Sequence, residues 1–252
     1  MVEQVAVLSD IHGVLPALEA VLAEPEVVAA QRIVVTGDML AGPQPVEVFD
    51  RLAALGERAV WVRGNSEREM LAMRSGEPGP DIAEMRWAAA QLRGDQLERL
   101  AVLPTSVRLP VDGLGEVVFC HATPRDDEEV VLVDSRPERW AEVLSGLDGE
   151  VRTVVCGHTH MPFVRFTHGV TVVNAGSVGM PYGRPGASWA LLGPGISLRH
   201  TAFDYDAAVR RITVESRYPN AGAWAQEYVR SRNTDLDALA AFGPRDGRDS
   251  GG

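Results

Sequence analysis

The sequence predicts an α/β fold built on a parallel sheet, and two observations carry that reading. Short apolar runs alternate with helix-period segments through the first 65 residues. Each run also stops at a small polar group, namely Ser9-Asp10, Gly37-Asp38 and Arg63-Gly64-Asn65. A strand buried on both faces reads as a continuous apolar run, and strand–helix–strand alternation implies right-handed crossovers and parallel pairing.

Taken in order, residues 5–8 give the first strand, and 15–22 carry apolar residues at helical spacing. A β-branched run at 32–36, a helical segment at 46–55 and a third strand at 59–62 follow. From 67 to 103 the pattern is helical, broken by the Gly/Pro-rich stretch 76–80. Within it, Asp95 followed by Glu98 resembles a capping box, and Pro104 ends the segment. Strands are expected at 107–111, 117–120 and 153–156, with a helix near 137–144. The runs at 163–167, 170–173, 188–192 and 197–203 read as closely spaced antiparallel strands. Tyr205, Ala208, Val209 and Ile212 share one face of an amphipathic helix, which Trp224, Tyr228 and Val229 extend as a helical region. A single domain is expected over 1–242, with 67–103 a helical elaboration near the cleft and 204–242 a set of C-terminal helices. The polar, glycine-rich stretch 243–252 reads as a disordered tail.

Composition narrows the function. The chain has 252 residues, 45% hydrophobic and 23% charged, enough for one sizeable core. A net charge of −11 disfavours long nucleic acid and acidic membranes as partners. Every one of the 24 cationic residues is arginine, which excludes a Schiff-base lysine and a P-loop lysine. Cys120 and Cys156 are too few for a disulfide framework or a four-thiolate zinc site and read as buried small side chains. Glu3 and the lack of a basic stretch argue against a signal peptide, no run of 18 apolar residues occurs, and a cytoplasmic location is expected.

The chemistry gathers after the apolar runs. Asp10, His12, Asp38, Asn65, His121, His158 and His160 each follow one, and open α/β sheets bind ligands at the carboxyl ends of their strands. Asp, Asn and His together are the donor set of a divalent transition-metal site. Seven donors exceed the needs of one ion, and Asp38 can bridge with its two oxygens. Two ions about 3.5–4 Å apart are therefore expected. A D-x-H triplet arises by chance roughly 0.4 times in this composition, so Asp10-Ile11-His12 says little alone; Gly157-His158-Thr159-His160 arises on the order of 0.01 times. His168 and His200, standing alone, read as ordinary satisfied polar residues.

The set D-x-H, G-D, G-N-x-E, C-H-A and G-H-T-H followed by N-A-G-S-V-G resembles the calcineurin-like metallophosphoesterase superfamily. Within it the chain is similar to the compact bacterial and archaeal branch of small phosphodiesterases and dinucleoside polyphosphate hydrolases, over residues 4–203. The resemblance implies a four-layer αββα sandwich. It also implies that Asp10, His12 and His160 bind one ion, that Asn65, His121 and His158 bind a second, and that Asp38 bridges. Asp38, Asn65 and His121 count as catalytic, and a hydroxide held between the ions attacks phosphorus in line. Manganese is the first expectation for the metal, with iron, zinc or nickel as alternatives.

One departure bears on the substrate. Many relatives carry a histidine where this chain has Ser66, in Gly64-Asn65-Ser66-Glu67, and that histidine helps protonate the leaving group. Serine is no general acid, so alkyl-phosphate leaving groups should react slowly, whereas a phosphoanhydride leaves as a stabilised phosphate. A dinucleoside polyphosphate or small activated diester is the favoured substrate. A protein phosphatase and a non-catalytic metal-binding scaffold are the alternatives. Arg125, Arg184 and Asn174 are candidates for substrate binding, the arginines as phosphate clamps, and for Asn174 support of the site from behind weighs equally with direct contact. The acidic run 126–129 reads as a solvated loop. Trp61, Trp87, Trp140, Trp189 and Trp224 are expected in the core, with Trp87 and its helices also a candidate cap that could stack a nucleobase.

Overall fold

A computed structural model of the chain describes residues 1–230 and 233–247. Two five-stranded sheets face each other, and helices flank them. The first sheet holds β1 (Val5–Leu8), β2 (Arg32–Val35), β3 (Ala59–Trp61), β9 (Ala187–Leu192) and β10 (Ile196–Thr201), in the order β10-β9-β1-β2-β3. The second holds β4 (Ser106–Val111), β5 (Gly115–Cys120), β6 (Thr153–Cys156), β7 (Phe163–Thr167) and β8 (Val170–Asn174), in the order β4-β5-β6-β8-β7.

Side-chain alternation explains the layering. Val5 and Val7 of β1 pack with Val34, Phe119, Val155 and Val173 between the sheets. Their neighbours Ala6 and Leu8 point the other way, into a helical layer. That layer contains α1 (Leu15–Leu22), α2 (Pro25–Ala29), α3 (Pro45–Ala53), α4 (Asn65–Ser75), α5 (Ala83–Gln91), α6 (Gly94–Ala101), α8 (Tyr205–Glu215) and α9 (Ala221–Tyr228). On the far side, Val118, Val154 and Cys156 meet Trp140 and Val143 of α7 (Pro137–Val143). The runs without alternation in β1 and β6 are thus strands buried on both faces, and the result is the expected four-layer sandwich.

The late strands pair antiparallel as expected, in two hairpins, β7–β8 and β9–β10, that belong to different sheets. The β7–β8 hairpin joins the second sheet, where β8 runs parallel to β6, while β9 pairs antiparallel with β1 in the first. Apolar runs report burial, not partners. Residues 67–103 touch the cleft through the first turn of α4, but Met70, Met85, Ala88 and Leu100 belong to the helical layer. Trp87 packs on Tyr218, ring centroids 5.3 Å apart, and does not cap the site. The expected tail begins as ordered structure: Gly243–Arg245 form a 3-10 turn, and buried Asp246 accepts a 2.8 Å hydrogen bond from Ser135 Oγ. Composition cannot show a partner so distant in sequence. Residues 248–252 of that expectation lie outside the described residues.

α10 (Asp235–Phe242), capped by Thr234, precedes that 3-10 turn. Among the described residues no helix is long and apolar enough to cross a membrane. Phe119 is fully buried between the sheets. Phe119→Ala should therefore lower the unfolding free energy by about 3–5 kcal/mol in chemical denaturation; a loss under about 1 kcal/mol would remove it from the core that joins the sheets.

Candidate metal centre

The strands deliver their polar residues through strained turns. Asp10, His12, Asp38, His158 and His160 all have positive φ, at 53°, 47°, 51°, 66° and 56°. Such left-handed backbone costs a non-glycine residue about 1–3 kcal/mol and persists where surrounding contacts over-determine it. Here the loops bond to each other: Asp10 N donates to Gly37 O at 3.1 Å, His12 N to Asp38 O at 3.0 Å and Gly157 N to His121 O at 2.8 Å.

The side chains converge on one spot. His160 Nε2 lies 3.1 Å from His12 Nε2 and 3.3 Å from Asp10 Oδ1. His121 Nε2 lies 3.4 Å from Asp38 Oδ1, 3.0 Å from Asn65 Oδ1 and 3.3 Å from His158 Nδ1. His12 Nε2 is 3.9 Å from both Asp10 Oδ1 and Asp38 Oδ2, which joins the two groups. All seven donors singled out from the sequence therefore meet. Three imidazoles are also oriented from behind: Nδ1 faces the carbonyl of Ala41 in His12, of Thr36 in His121 and of Met180 in His160, at 3.2, 2.8 and 2.9 Å. A carbonyl only accepts, so each Nδ1 carries the proton and each Nε2 lone pair faces the centre.

Burial makes the centre electrostatically tense. Burial pushes the Asp10 carboxyl up, but His160, His121 and His12 together pull it well below the ordinary carboxylate range. His158 goes to about 3, driven by burial and then by the charge of His121. His121 and His160 go the other way: burial lowers them, and the carboxylates of Asp38 and Asp10 more than reverse it. Asp10 Oδ1 and His158 Nε2 are buried and have no hydrogen-bond partner among the described residues. Orphaned buried donors and acceptors of this kind fit a divalent cation. The atoms of Asp10, His12 and His160 lie within 4.8 Å of one another, as do those of Asp10, Asp38 and His121.

Residues behind the donors fix these loops. Glu67, in the first turn of α4, accepts from the backbone N–H of Asp38, Met39 and Gly64 at 2.9, 2.8 and 3.0 Å, and burial beside Asp38 pushes its carboxyl up to about 7. Ser177 Oγ donates to Asp10 O at 2.6 Å and accepts from Met180 N at 2.7 Å. Gly157 lies so close to Asp10 that a Cβ there would run into Ser9 Oγ and Asp10 Oδ2. The sequence reading assigned no role to Glu67 or Ser177. The signal for Glu67 was present, since a carboxylate three residues after a helix-opening glycine can reach back to free N–H groups.

The substrate-binding expectations fare differently. Asn174 is buried; its Nδ2 donates to Gly157 O and Thr159 Oγ1 at 2.6 and 3.0 Å, and its Oδ1 accepts from Gly176 N at 2.9 Å. Its capacity is consumed in holding the Gly157–His160 loop, so it braces the donors instead of meeting substrate. The Arg125 guanidinium is held by Glu129 and by Glu142, the latter at 2.8 Å, which takes it out of service as a free clamp. Asp127 likewise pairs with Arg68 at 3.0 Å, so the run 126–129 is tied down by ion pairs, not simply solvated. Arg184 follows Tyr182, whose ring centroid is 6.3 Å from that of His160. Cys120 and Cys156 are buried and free, as expected.

The aromatic group against the donors was not foreseen. Half-buried Phe242, the last residue of α10, sets its ring edge-on to His158 and Tyr182, at 5.9 and 6.3 Å between centroids. The segment is tied on both sides of the cleft, by Gly183 N to Asn233 O at 2.8 Å and by Ser135 to Asp246. Phe242 thus roofs part of the centre.

The bracing role of Asn174, one of the two expected for it, can be checked directly. Asn174→Ala should weaken metal binding about 10–100-fold, as loss of an outer support does, with KM unchanged once metal is saturating. A raised KM at saturating metal would return Asn174 to the substrate.

Comparison with known proteins identifies the fold and the family. An uncharacterized protein of Methanocaldococcus jannaschii is 26% identical over 181 residues, which are 69% of each chain. The fold is shared with a hypothetical protein of Pyrococcus horikoshii at TM-score 0.75 and 20% identity, covering 91% of this chain and 99% of that one. A metallophosphoesterase of Sphaerobacter thermophilus superposes at TM-score 0.69 and 21% identity, covering 89% and 98%. The model of the calcineurin-like phosphoesterase superfamily domain matches residues 4–193, the span that carries every donor described above, and the chain belongs to that superfamily of metal-dependent phosphate-ester hydrolases.

Proposed function

We propose that this phosphoesterase cleaves phosphoanhydride or activated phosphodiester bonds in small molecules, with a dinucleoside polyphosphate or small activated diester as favoured substrate. It works with two divalent transition-metal ions, manganese first. Asp10, His12 and His160 would hold one ion, Asn65, His121 and His158 the other, and Asp38 would lie between them. When bound, such ions polarise phosphoryl oxygens and lower the pKa of water.

The observation that carries the bond class is Ser66. Its side chain is buried, its backbone N–H donates to Asp38 Oδ1 at 2.9 Å, and its hydroxyl turns toward Glu67 Oε1 at 3.4 Å. This position orients Asp38 and presents no acid to a leaving group. A leaving group that departs as a phosphate needs little protonation, whereas an alkoxide needs much. The remaining groups pre-organise the site: the carbonyls of Thr36, Ala41 and Met180 set imidazole tautomers, and Glu67 fixes the backbone of Asp38. Size selection follows from Phe242, whose ring against His158 favours slender substrates over a folded phosphoprotein.

The test is phosphate release by the manganese-loaded protein on a chromogenic diester, a nucleoside monophosphate, a dinucleoside tetraphosphate and a phosphopeptide, with Asp38→Ala as blank. The tetraphosphate or the diester should turn over at least about 100-fold faster than the monophosphate and the phosphopeptide, and Asp38→Ala should lose that activity. Equal rates on the alkyl monoester and the anhydride would overturn the assignment of bond class.

A further inference from the structure

A cavity of about 390 Å³ opens beside the metal centre, at the end where β10 and β7 form the sheet edges. Met161 and Pro162, directly after His160, line it together with Leu198 of β10. Tyr182 lines it as well, and its backbone N–H donates to His160 O at 3.2 Å. One aromatic side chain therefore belongs to both the cavity and the surroundings of a metal donor.

The lining has a definite chemistry. In a chain of net charge −11 this cavity carries two arginines, Arg184 and Arg199, against the single carboxylate of Asp235. Arg199 is engaged by Glu26 at 3.4 Å, although its buried Nε has no hydrogen-bond partner among the described residues. Arg184 has no ion-pair partner among the described residues and is exposed. Ser188 and His200 add polar surface, while Met161, Pro162, Tyr182 and Leu198, the last 37% exposed, supply an apolar wall. Pockets for small ligands begin at roughly 300 Å³ and combine apolar walls with a few polar anchors.

We propose that this cavity binds one nucleoside phosphate arm of the substrate. The base packs among Met161, Pro162, Leu198 and the Tyr182 ring, and Arg184 pairs with a phosphate oxygen between cavity and metals. A flat apolar group that carries anionic charge at one end is what these walls and that guanidinium complement. The inference rests on the nucleotide reading of the substrate given above, and it assigns the site that makes such a substrate preferable to a simple diester.

Binding separates the two. The metal-loaded full-length protein is titrated with adenosine diphosphate and, separately, with inorganic phosphate, in wild type, Leu198→Trp and Arg184→Ala. Both side chains are partly or fully exposed, so neither change removes core packing. Leu198→Trp fills the cavity and should weaken adenosine diphosphate at least about tenfold while leaving inorganic phosphate within about twofold. Arg184→Ala should weaken adenosine diphosphate by about tenfold as well. In kinetics, KM for dinucleoside tetraphosphate should rise in both variants, and in Leu198→Trp kcat/KM for the chromogenic diester should stay unchanged. Equal adenosine diphosphate affinity in wild type and Leu198→Trp overturns the subsite whatever the protein hydrolyses. Failure of wild type to cleave the tetraphosphate, with nucleotide binding lost in Leu198→Trp, overturns the substrate reading and leaves the nucleotide subsite standing.

Discussion

Two carboxylates and a group of imidazoles held out of water at one rim of two sheets set the terms for the rest of this molecule. Taking Asp10 and Asp38 into the interior is unfavourable unless positive charge faces them. The neighbouring imidazoles supply part of it, but they crowd each other, and His158 is left strongly resistant to protonation. Divalent cations resolve both conflicts at once, since they attract the carboxylates and accept the imidazole lone pairs. The tightness of packing that makes the arrangement uneasy is the same property that would give it high metal affinity.

Holding such a cluster requires rigid loops, and the chain makes them rigid from behind. Glu67 ties the loop after β2 to the start of α4, Asn174 ties the loop after β6 to the end of β8, and Ser177 ties the following turn to Asp10. Each of these side chains spends most of its hydrogen bonds on backbone. None is available to a substrate, and together they convert flexible connections into a fixed frame.

Much of this was legible in the sequence. The strand at Val5–Leu8, the strand at Thr153–Cys156 and the helix at Leu15–Leu22 coincide with their expected limits, because a run buried on both faces or an apolar stripe is a local property. All seven candidate donors, which the fold brings together, were recognisable because each follows such a run. Which sheet each late hairpin joins was not legible, since apolar content fixes burial without naming a neighbour. The bracing role of Asn174 and the diversion of Arg125 into ion pairs depend on where other loops fold. Phe242 and Asp246 were hidden for a stronger version of the same reason: the contact that orders Asp246 spans 111 residues, and composition alone made that stretch look unstructured.

The left-handed backbone at Asp10, His12, Asp38, His158 and His160 has an evolutionary corollary. Glycine would adopt each of those conformations without penalty, so a chain freed from binding ions would gain stability by placing glycine there. Five bulky polar residues standing where glycine would be more comfortable trade stability for chemistry. A descendant that had become a mere scaffold would show its retirement first at these turns, while its strands and its apolar core stayed as they are.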